Sequence, residues 1–373
     1  MKNFFINGLL PEGFKVLLPA EAHKEENISR VILDLFFNNG YELVKTPIIE
    51  YEDNTSKNTL KYLSNNSFML MEPETKKVLI LRSDITSQVA KLASTKLNHY
   101  CRPIRLAYSG EVLRNIKNSY QTDRQFKQIG AEVLGGATNT SLIEILKITI
   151  DILLNFKIHN ITIDFSLPTI FRLLEKKLSL NKKSNKILRE AIENKDTSTV
   201  KYKKFSYIIG LISLAGTIEE AKKEFKKHKF PSQIKNILND FFKLTAQIKR
   251  KFPSLSITVD ITEGKSFLEY NNFGFKIYNK DNAYPVAIGG DYRTNNNELG
   301  IGITFLVNKI IESVVLKEKK KVYVPYNIDR VPKNLYKISI LIKELFPNKN
   351  SSVEAIKQKC DYILKNNGKL EKV

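Results

Sequence analysis

The sequence predicts an α+β fold, an antiparallel sheet flanked by helices, and three observations carry that prediction. Residues 102–135 read as strand, loop, strand. Ile104, Leu106 and Tyr108 alternate with Arg105, Ala107 and Ser109, a polar stretch over about 115–124 lacks a helical period, and 126–134 resumes as an extended segment. Residues 254–261 alternate in the same way. Between and before these lie stretches with helical spacing, at 21–39 and 138–156, and a Lys- and Leu-rich run over about 168–250 with no strand signal. That run is expected to interrupt the sheet as a helical insertion. The chain is expected to divide into a core at 1–319 and a short α/β segment at 320–373.

Each element has a local reason. Pro11-Glu12-Gly13-Phe14 signals a turn. The helix at 21–39 places Ile28, Val31, Ile32, Leu35 and Phe36 at helical spacing and stops at Gly40. A short strand at 41–45 runs into Pro47. Residues 68–70 and 78–82 form a hairpin around a turn at 72–76. In Leu81-Arg82-Ser83-Asp84-Ile85-Thr86-Ser87-Gln88, Ser83 or Asp84 can cap a helix whose apolar residues are Ile85, Val89 and Leu92. Arg105 and Arg114 lie in the first arm of the hairpin at 102–135. Gln128 and Glu132 lie four apart in the second arm and share a face. Guanidinium groups fork onto phosphate or carboxylate, and Glu and Gln accept from an ammonium, so such a hairpin can grip a small zwitterion or a nucleotide. The helix at 138–156 turns Leu142, Ile145, Leu146 and Leu153 to one side, with Thr149 interrupting. A strand is expected at 160–166. Residues 299–305 lead into a helix reaching about 317. A strand at 321–326, helices at about 330–345 and 353–359, and a strand at 361–365 complete the chain.

Composition narrows the function classes. The chain has 373 residues, 42% of them hydrophobic, enough for a sizeable core. No apolar run reaches the length of a membrane span, and the N-terminus lacks a signal-peptide pattern, so a cytoplasmic location is expected. Two cysteines and four scattered histidines, without metal-ligand spacing, leave no basis for a disulfide framework, a metal site or a cofactor. The net charge of +21 fits nucleic acid or an acidic partner subunit. The excess is mostly lysine spread through helical segments, without arginines interleaved with aromatics, which makes nucleic acid the poorer expectation.

The hairpin, with its Gln128-Ile129-Gly130-Ala131-Glu132 string, resembles motif 2 of histidyl-tRNA synthetases, within the class II aminoacyl-tRNA synthetase fold. The turn at 81–88 matches L-R-x-D-I-T-x-Q, the form typical of the synthetase-like regulatory subunits of ATP phosphoribosyltransferase, where synthetases read L-R-P-E-G-T. Residues 264–275 are similar to the synthetase segment R-G-L-D-Y-Y-x-R-T-V-F-E, with Lys265 and Asn272 in place of its arginines. Residues 289–293 resemble the G-G-R-Y-D turn with the charges exchanged. At motif 3 the arginine position falls on Val307 or Lys309, and residues 304–315 contain no arginine. Arg to Lys is not conservative at a bidentate site, and adenylation relies on preorganised positive charge.

The resemblance therefore implies a non-catalytic regulatory subunit. Its expected partners are a short-form ATP phosphoribosyltransferase catalytic subunit and a second copy of itself, in a homodimer within a hetero-oligomer serving L-histidine biosynthesis. L-histidine is a further candidate partner. In a histidine pocket, Asp84, Thr86, Gln128 and Glu132 would surround the ammonium or imidazole. Arg114 would face the carboxylate or a phosphate, and Tyr270 and Tyr292 would be walls. Two plainer readings stay open: Asp84 as an ordinary helix cap and Tyr270 as a core tyrosine. A divergent histidyl-tRNA synthetase and a tRNA-binding paralogue are the alternatives.

Overall fold

The stripe of apolar residues that ends at Gly40 forms α1 (Pro19–Asn38), with Ile28, Ser29, Ile32 and Phe36 buried. Proline stands at its start, and Gly40, at φ 83°, turns the chain out of it. The computed structural model describes residues 10–52, 67–115, 122–136, 139–178, 194–195, 206–261, 270–280, 283–314, 319–345 and 350–373. They fall into two units, Met1–Val314 and Val315–Val373.

After α1 come β1 (Glu42–Val44) and a small antiparallel sheet of β2 (Ile49–Tyr51), β3 (Met69–Met71) and β4 (Val78–Leu81). The turn between β3 and β4 is closed by Lys76 N donating to Glu72 O. Next are α2 (Thr86–Ser94) and the long hairpin of β5 (Ile104–Leu113) and β6 (Gln125–Leu134), which pair antiparallel along their whole length. Then follow α3 (Asn139–Asn155) and β7 (Ile161–Ser166). Thr149 does not break α3: its hydroxyl bonds back to Ile145 O at 2.8 Å.

Among its described residues, the stretch at 168–250 is mainly helical, with α4 (Pro168–Leu178), α5 (Ser206–Ser213), α6 (Ile218–Lys227) and α7 (Ser232–Lys251). It also contains a strand that periodicity did not mark, β8 (Gly216–Thr217). Two residues are too few to show a period. The strand is placed by pairing with β9 (Ser256–Val259) and by the Thr217–Glu220 capping box that opens α6. The insertion is also fastened to the sheet: Phe241 of α7 meets Phe165 of β7 edge-on, with ring centroids 5.5 Å apart.

Strands β10 (Gly274–Asn279), β11 (Pro285–Arg293) and β12 (Leu299–Leu306) complete a nine-stranded sheet in the order β1-β5-β6-β12-β11-β10-β7-β9-β8. Residues 289–293, matched to a turn, lie within β11, because Gly289 and Gly290 pair on both sides, with Phe275 and Gly274 and with Ile303 and Gly302. Short α8 (Val307–Ser313) ends the unit.

Alternation divides the central strands into two faces. Odd-numbered residues such as Ile129, Ile303 and Phe305 face α1 and α3: Phe36 packs on Phe305, with centroids 6.1 Å apart. Even-numbered Ile104, Leu106, Tyr108, Phe126 and Leu134 form a second core with Ile85, Val89 and Ala93 from the start and body of α2. Fully burying each of the Val, Leu, Ile and Phe side chains contributes roughly 1.5–3 kcal/mol.

The second unit is a four-stranded sheet, β14-β13-β15-β16, built from β13 (Lys320–Val324), β14 (Ser339–Lys343), β15 (Tyr362–Leu364) and β16 (Leu370–Lys372). Its helices are α9 (Leu335–Ile338) and α10 (Ser351–Lys357). The long helix expected at 330–345 is corrected: only α9 is helical, and β14 follows it, pairing parallel with β13. Ser339-Ile340-Leu341-Ile342-Lys343 is an apolar β-prone run too short for its period to decide, and pairing settles it as a strand.

Candidate amino-acid-binding site

Register builds the site. On β6, Gly130 lies opposite both Tyr108 of β5 and Thr304 of β12, and Glu132 lies opposite Leu106 and Gly302. Four glycines make the floor. A Cβ at Gly130 would overlap the Tyr108 hydroxyl, one at Gly302 the Glu132 carboxyl, one at Gly290 the Tyr270 ring and one at Gly300 the Tyr292 ring. Each glycine thus lets a neighbouring polar or aromatic side chain lie flat across the even face.

The polar groups close on one another. Gln128 is oriented at both ends: its Oε1 accepts from Ile85 N at 2.9 Å and its Nε2 donates to Asp84 Oδ1 at 2.7 Å. The other Asp84 oxygen accepts from Ser87 N at 3.1 Å, so one carboxylate serves both the first turn of α2 and the Gln128 amide. Tyr108 Oη shares hydrogen bonds of 2.9 Å with Thr86 Oγ1 and with Thr304 Oγ1. Tyr292 Oη donates to Glu132 Oε2 at 2.9 Å, and Tyr108 Oη reaches Glu132 Oε1 at 3.4 Å.

Two further polar residues of the motif at 81–88, Arg82 and Gln88, hold the loop. Arg82 bonds Glu111 O and Thr46 O, while Gln88 bonds Pro47 O and accepts from the Thr46 hydroxyl. Two motif residues therefore fix the turn, and Asp84 and Thr86 are presented to the sheet face.

The electrostatics are those of a buried acid. Glu132 is 1% exposed. Burial and the Asp84 charge push its carboxyl up to about 8, against the hydroxyl bonds that favour the anion. Burial, then the charge of Glu132, holds the Tyr108 and Tyr292 phenols well above their ordinary range. The consequence for stability has a definite sign. From about pH 4.5, where the unfolded carboxyl ionises, to about 8, the folded chain keeps a proton that the unfolded chain has lost. Stability from this group therefore falls as pH rises through that window, at up to about 1.4 kcal/mol per pH unit. Glu132→Gln is expected to flatten the difference in urea midpoint between about pH 5 and about pH 8. An unchanged dependence would show that Glu132 ionises normally.

Of the residues singled out from sequence, Asp84, Thr86, Gln128, Glu132 and Tyr292 are brought together. Tyr270 lies over Gly290, with its backbone O accepting from Arg172 at 2.9 Å. Arg114 is set toward the rim: its Nε donates to Ser83 O at 3.0 Å, and its guanidinium lies 5.1 Å from the Phe126 ring centroid. Arg105, the other guanidinium of that arm, points to the opposite face and forks onto Glu144 of α3 at 2.7 and 2.9 Å. Lys265 and the hairpin tip at 116–121 lie outside the described residues. Tyr108 and Thr304 were not singled out. Their parity with Gln128 and Glu132 was visible, but only the β5–β6–β12 register places both hydroxyls over Gly130.

The positions matched to synthetase arginines do other work. Asn272, with Asn271, encloses Asp291. One Asp291 oxygen accepts from Asn272 N and Phe273 N at 2.7 and 2.9 Å, and the other from Asn272 Nδ2 at 2.7 Å and Asn271 Nδ2 at 3.3 Å. Lys309 pairs with Glu312 at 2.8 Å and lies over the Tyr284 ring. Val307 is buried.

Known proteins share this plan. The histidyl-tRNA synthetase family model matches residues 13–310. Among curated relatives, the ATP phosphoribosyltransferase regulatory subunit of Paramagnetospirillum magneticum is 27% identical over 369 residues, covering 97% of each chain. That of Rhodospirillum rubrum is 29% identical over 313 residues, covering 82% of each. Among solved structures, an ATP phosphoribosyltransferase regulatory subunit/histidyl-tRNA synthetase from Bacillus halodurans superposes with a TM-score of 0.75 at 19% identity, covering 95% of this chain and 97% of that one. A chain of the Thermotoga maritima ATP phosphoribosyl transferase (HisG:HisZ) complex superposes with a TM-score of 0.57 at 18% identity, covering 76% of this chain and 97% of that one. With a family model matched from the first turn to α8, this chain belongs to the histidyl-tRNA synthetase family.

Proposed function

We propose that the chain is a regulatory subunit of ATP phosphoribosyltransferase, without catalytic activity of its own. It works in the cytoplasm as a homodimer within a hetero-oligomer. Its partner is a short-form catalytic subunit that makes phosphoribosyl-ATP from ATP and phosphoribosyl pyrophosphate, and its even-face pocket takes L-histidine as the feedback ligand. The observation that carries this reading is the contrast between the two halves of the sheet face. The polar cluster of Asp84, Thr86, Gln128, Glu132 and Tyr292 is assembled and hydrogen-bonded. Of the described positions matched to synthetase arginines, Asn272 is engaged with Asp291, and the motif 3 position falls on buried Val307 or on Lys309, which is engaged with Glu312, so neither offers a guanidinium to a transferring phosphate. Curated relatives of the same length carry the regulatory-subunit name.

Activation then means that the catalytic subunit is more competent in the complex than alone, and histidine acts by binding one assembly state better than another. The test is phosphoribosyl-ATP formation by a short-form catalytic subunit from the same organism, with and without this chain. Stimulation of at least about tenfold is expected, equivalent to about 1.4 kcal/mol of coupling, with no product from this chain alone. No stimulation and no co-elution would refute the proposal. Histidine-dependent pyrophosphate exchange by this chain would instead identify a divergent synthetase.

A further inference from the structure

We propose that the free pocket stores a proton on Glu132 and hands it to a ring nitrogen of an incoming imidazole, so that the ligand is held as an imidazolium against a carboxylate. This rests on the histidine reading above and specifies its chemistry.

Geometry motivates it. Glu132 lies buried over Gly302 on the even face, and its neighbours come from four elements. Asp84 and Thr86 face it from the start of α2, Tyr108 from β5, Tyr292 from β11, and Thr304 reaches the same cluster from β12. The neighbouring groups are hydroxyls except Asp84, which carries the same charge as an ionised Glu132. Among the described residues no basic side chain bonds either carboxyl. An unpaired anion is costly there, and the carboxyl keeps its proton to about pH 8. An unperturbed imidazole titrates near about 6.5. Once the ring enters, two carboxylates favour its cationic form, and the new ion pair removes the reason for Glu132 to stay neutral. In the transfer, the Glu132 O–H bond breaks, its electron pair stays on the carboxylate, and an N–H bond forms on the ring. No other reactant is needed.

The complex then contains one proton shared between ring and carboxyl, which predicts a plateau in affinity. L-histidine titrated by calorimetry should bind with constant affinity between about pH 6.5 and about pH 8. Below the plateau, ring and carboxyl are both protonated before binding, so one proton must leave and affinity falls about tenfold per pH unit. Above it, one proton must be drawn from solution and affinity falls again. Comparing Tris with phosphate should show about one proton released per histidine at the acid end, none on the plateau and one taken up at the alkaline end.

Glu132→Gln serves as the reference, since it carries the ligand's own ammonium titration but has no proton to give. It should lose the alkaline limb relative to wild type. Tyr292→Phe removes a bond that favours the Glu132 anion and should move that limb to higher pH. Ring-¹⁵N-labelled histidine bound to wild type should show both nitrogens in the imidazolium range on the plateau. A bound neutral ring, or wild-type and Glu132→Gln profiles that coincide above pH about 8, overturns the proton hand-over and leaves the histidine pocket standing. Absence of histidine binding at every pH overturns both.

Discussion

Asp291→Ala is expected to lower the stability of the first unit by about 3–5 kcal/mol, read as a shift in urea midpoint with unchanged slope. Asp291 is 1% exposed and accepts four hydrogen bonds, two from backbone N–H groups and two from side-chain amides. Charge-assisted bonds of this kind are individually worth more than neutral ones, and removing the acceptor leaves buried donors unpaired. The Phe273 N–H is the most exposed to this penalty, because Phe273 is itself buried. The effect should also reach the pocket: the segment at 270–273 carries Tyr270, and Arg172 of α4 ties it down through the backbone oxygens of Tyr270 and Asn271. Asp291→Asn should cost only about 1 kcal/mol, since its oxygen can still serve the two backbone donors and Asn272 can turn its amide to offer an oxygen. Equal losses in the two variants would mean that charge, not acceptor geometry, dominates.

The fold was legible wherever burial on one face left a period. Ile28, Ile32 and Phe36 in α1 and Leu142, Ile145 and Leu146 in α3 are core residues because apolar stripes must be covered. The hairpin at 104–134 was equally readable, its arms long enough to alternate. What failed was short or decided by distant pairing. β8 has two residues, β14 looked like the continuation of a helix, and the Gly289–Gly290 pair looked like a turn although neighbouring strands hold it straight.

The site divides in the same way. Asp84, Thr86, Gln128 and Glu132 were legible through motif resemblance and strand parity. Tyr108 and Thr304 were not, since their convergence over Gly130 depends on register across three strands, and register is set by the whole sheet. Arg105 misled for a related reason: adjacent strand residues face opposite sides, and its partner Glu144 lies on a helix that only the tertiary fold brings near.

The glycine floor gives the sharpest test of the pocket. Gly302→Ala is expected to reduce histidine affinity by at least about 100-fold, about 2.7 kcal/mol, while leaving the sheet assembled. Gly302 sits in a strand, where alanine is conformationally acceptable and even lowers the entropy of the unfolded chain. The cost arises only from the added methyl, which would overlap the Glu132 carboxyl. Glu132 must then rotate away from Tyr292, leaving a buried acid without its donor, and overpacking of this kind costs about 1–3 kcal/mol. A double-mutant cycle separates these effects. With Glu132→Ala the methyl meets no carboxyl, so Gly302→Ala should be nearly neutral in that background, giving a coupling energy of about 1–3 kcal/mol between two residues joined across β6 and β12. Additive stabilities would mean that Glu132 does not lie over Gly302. Wild-type histidine affinity in Gly302→Ala would mean that the ligand binds away from Glu132, because no imidazole can use a carboxyl that the methyl has displaced.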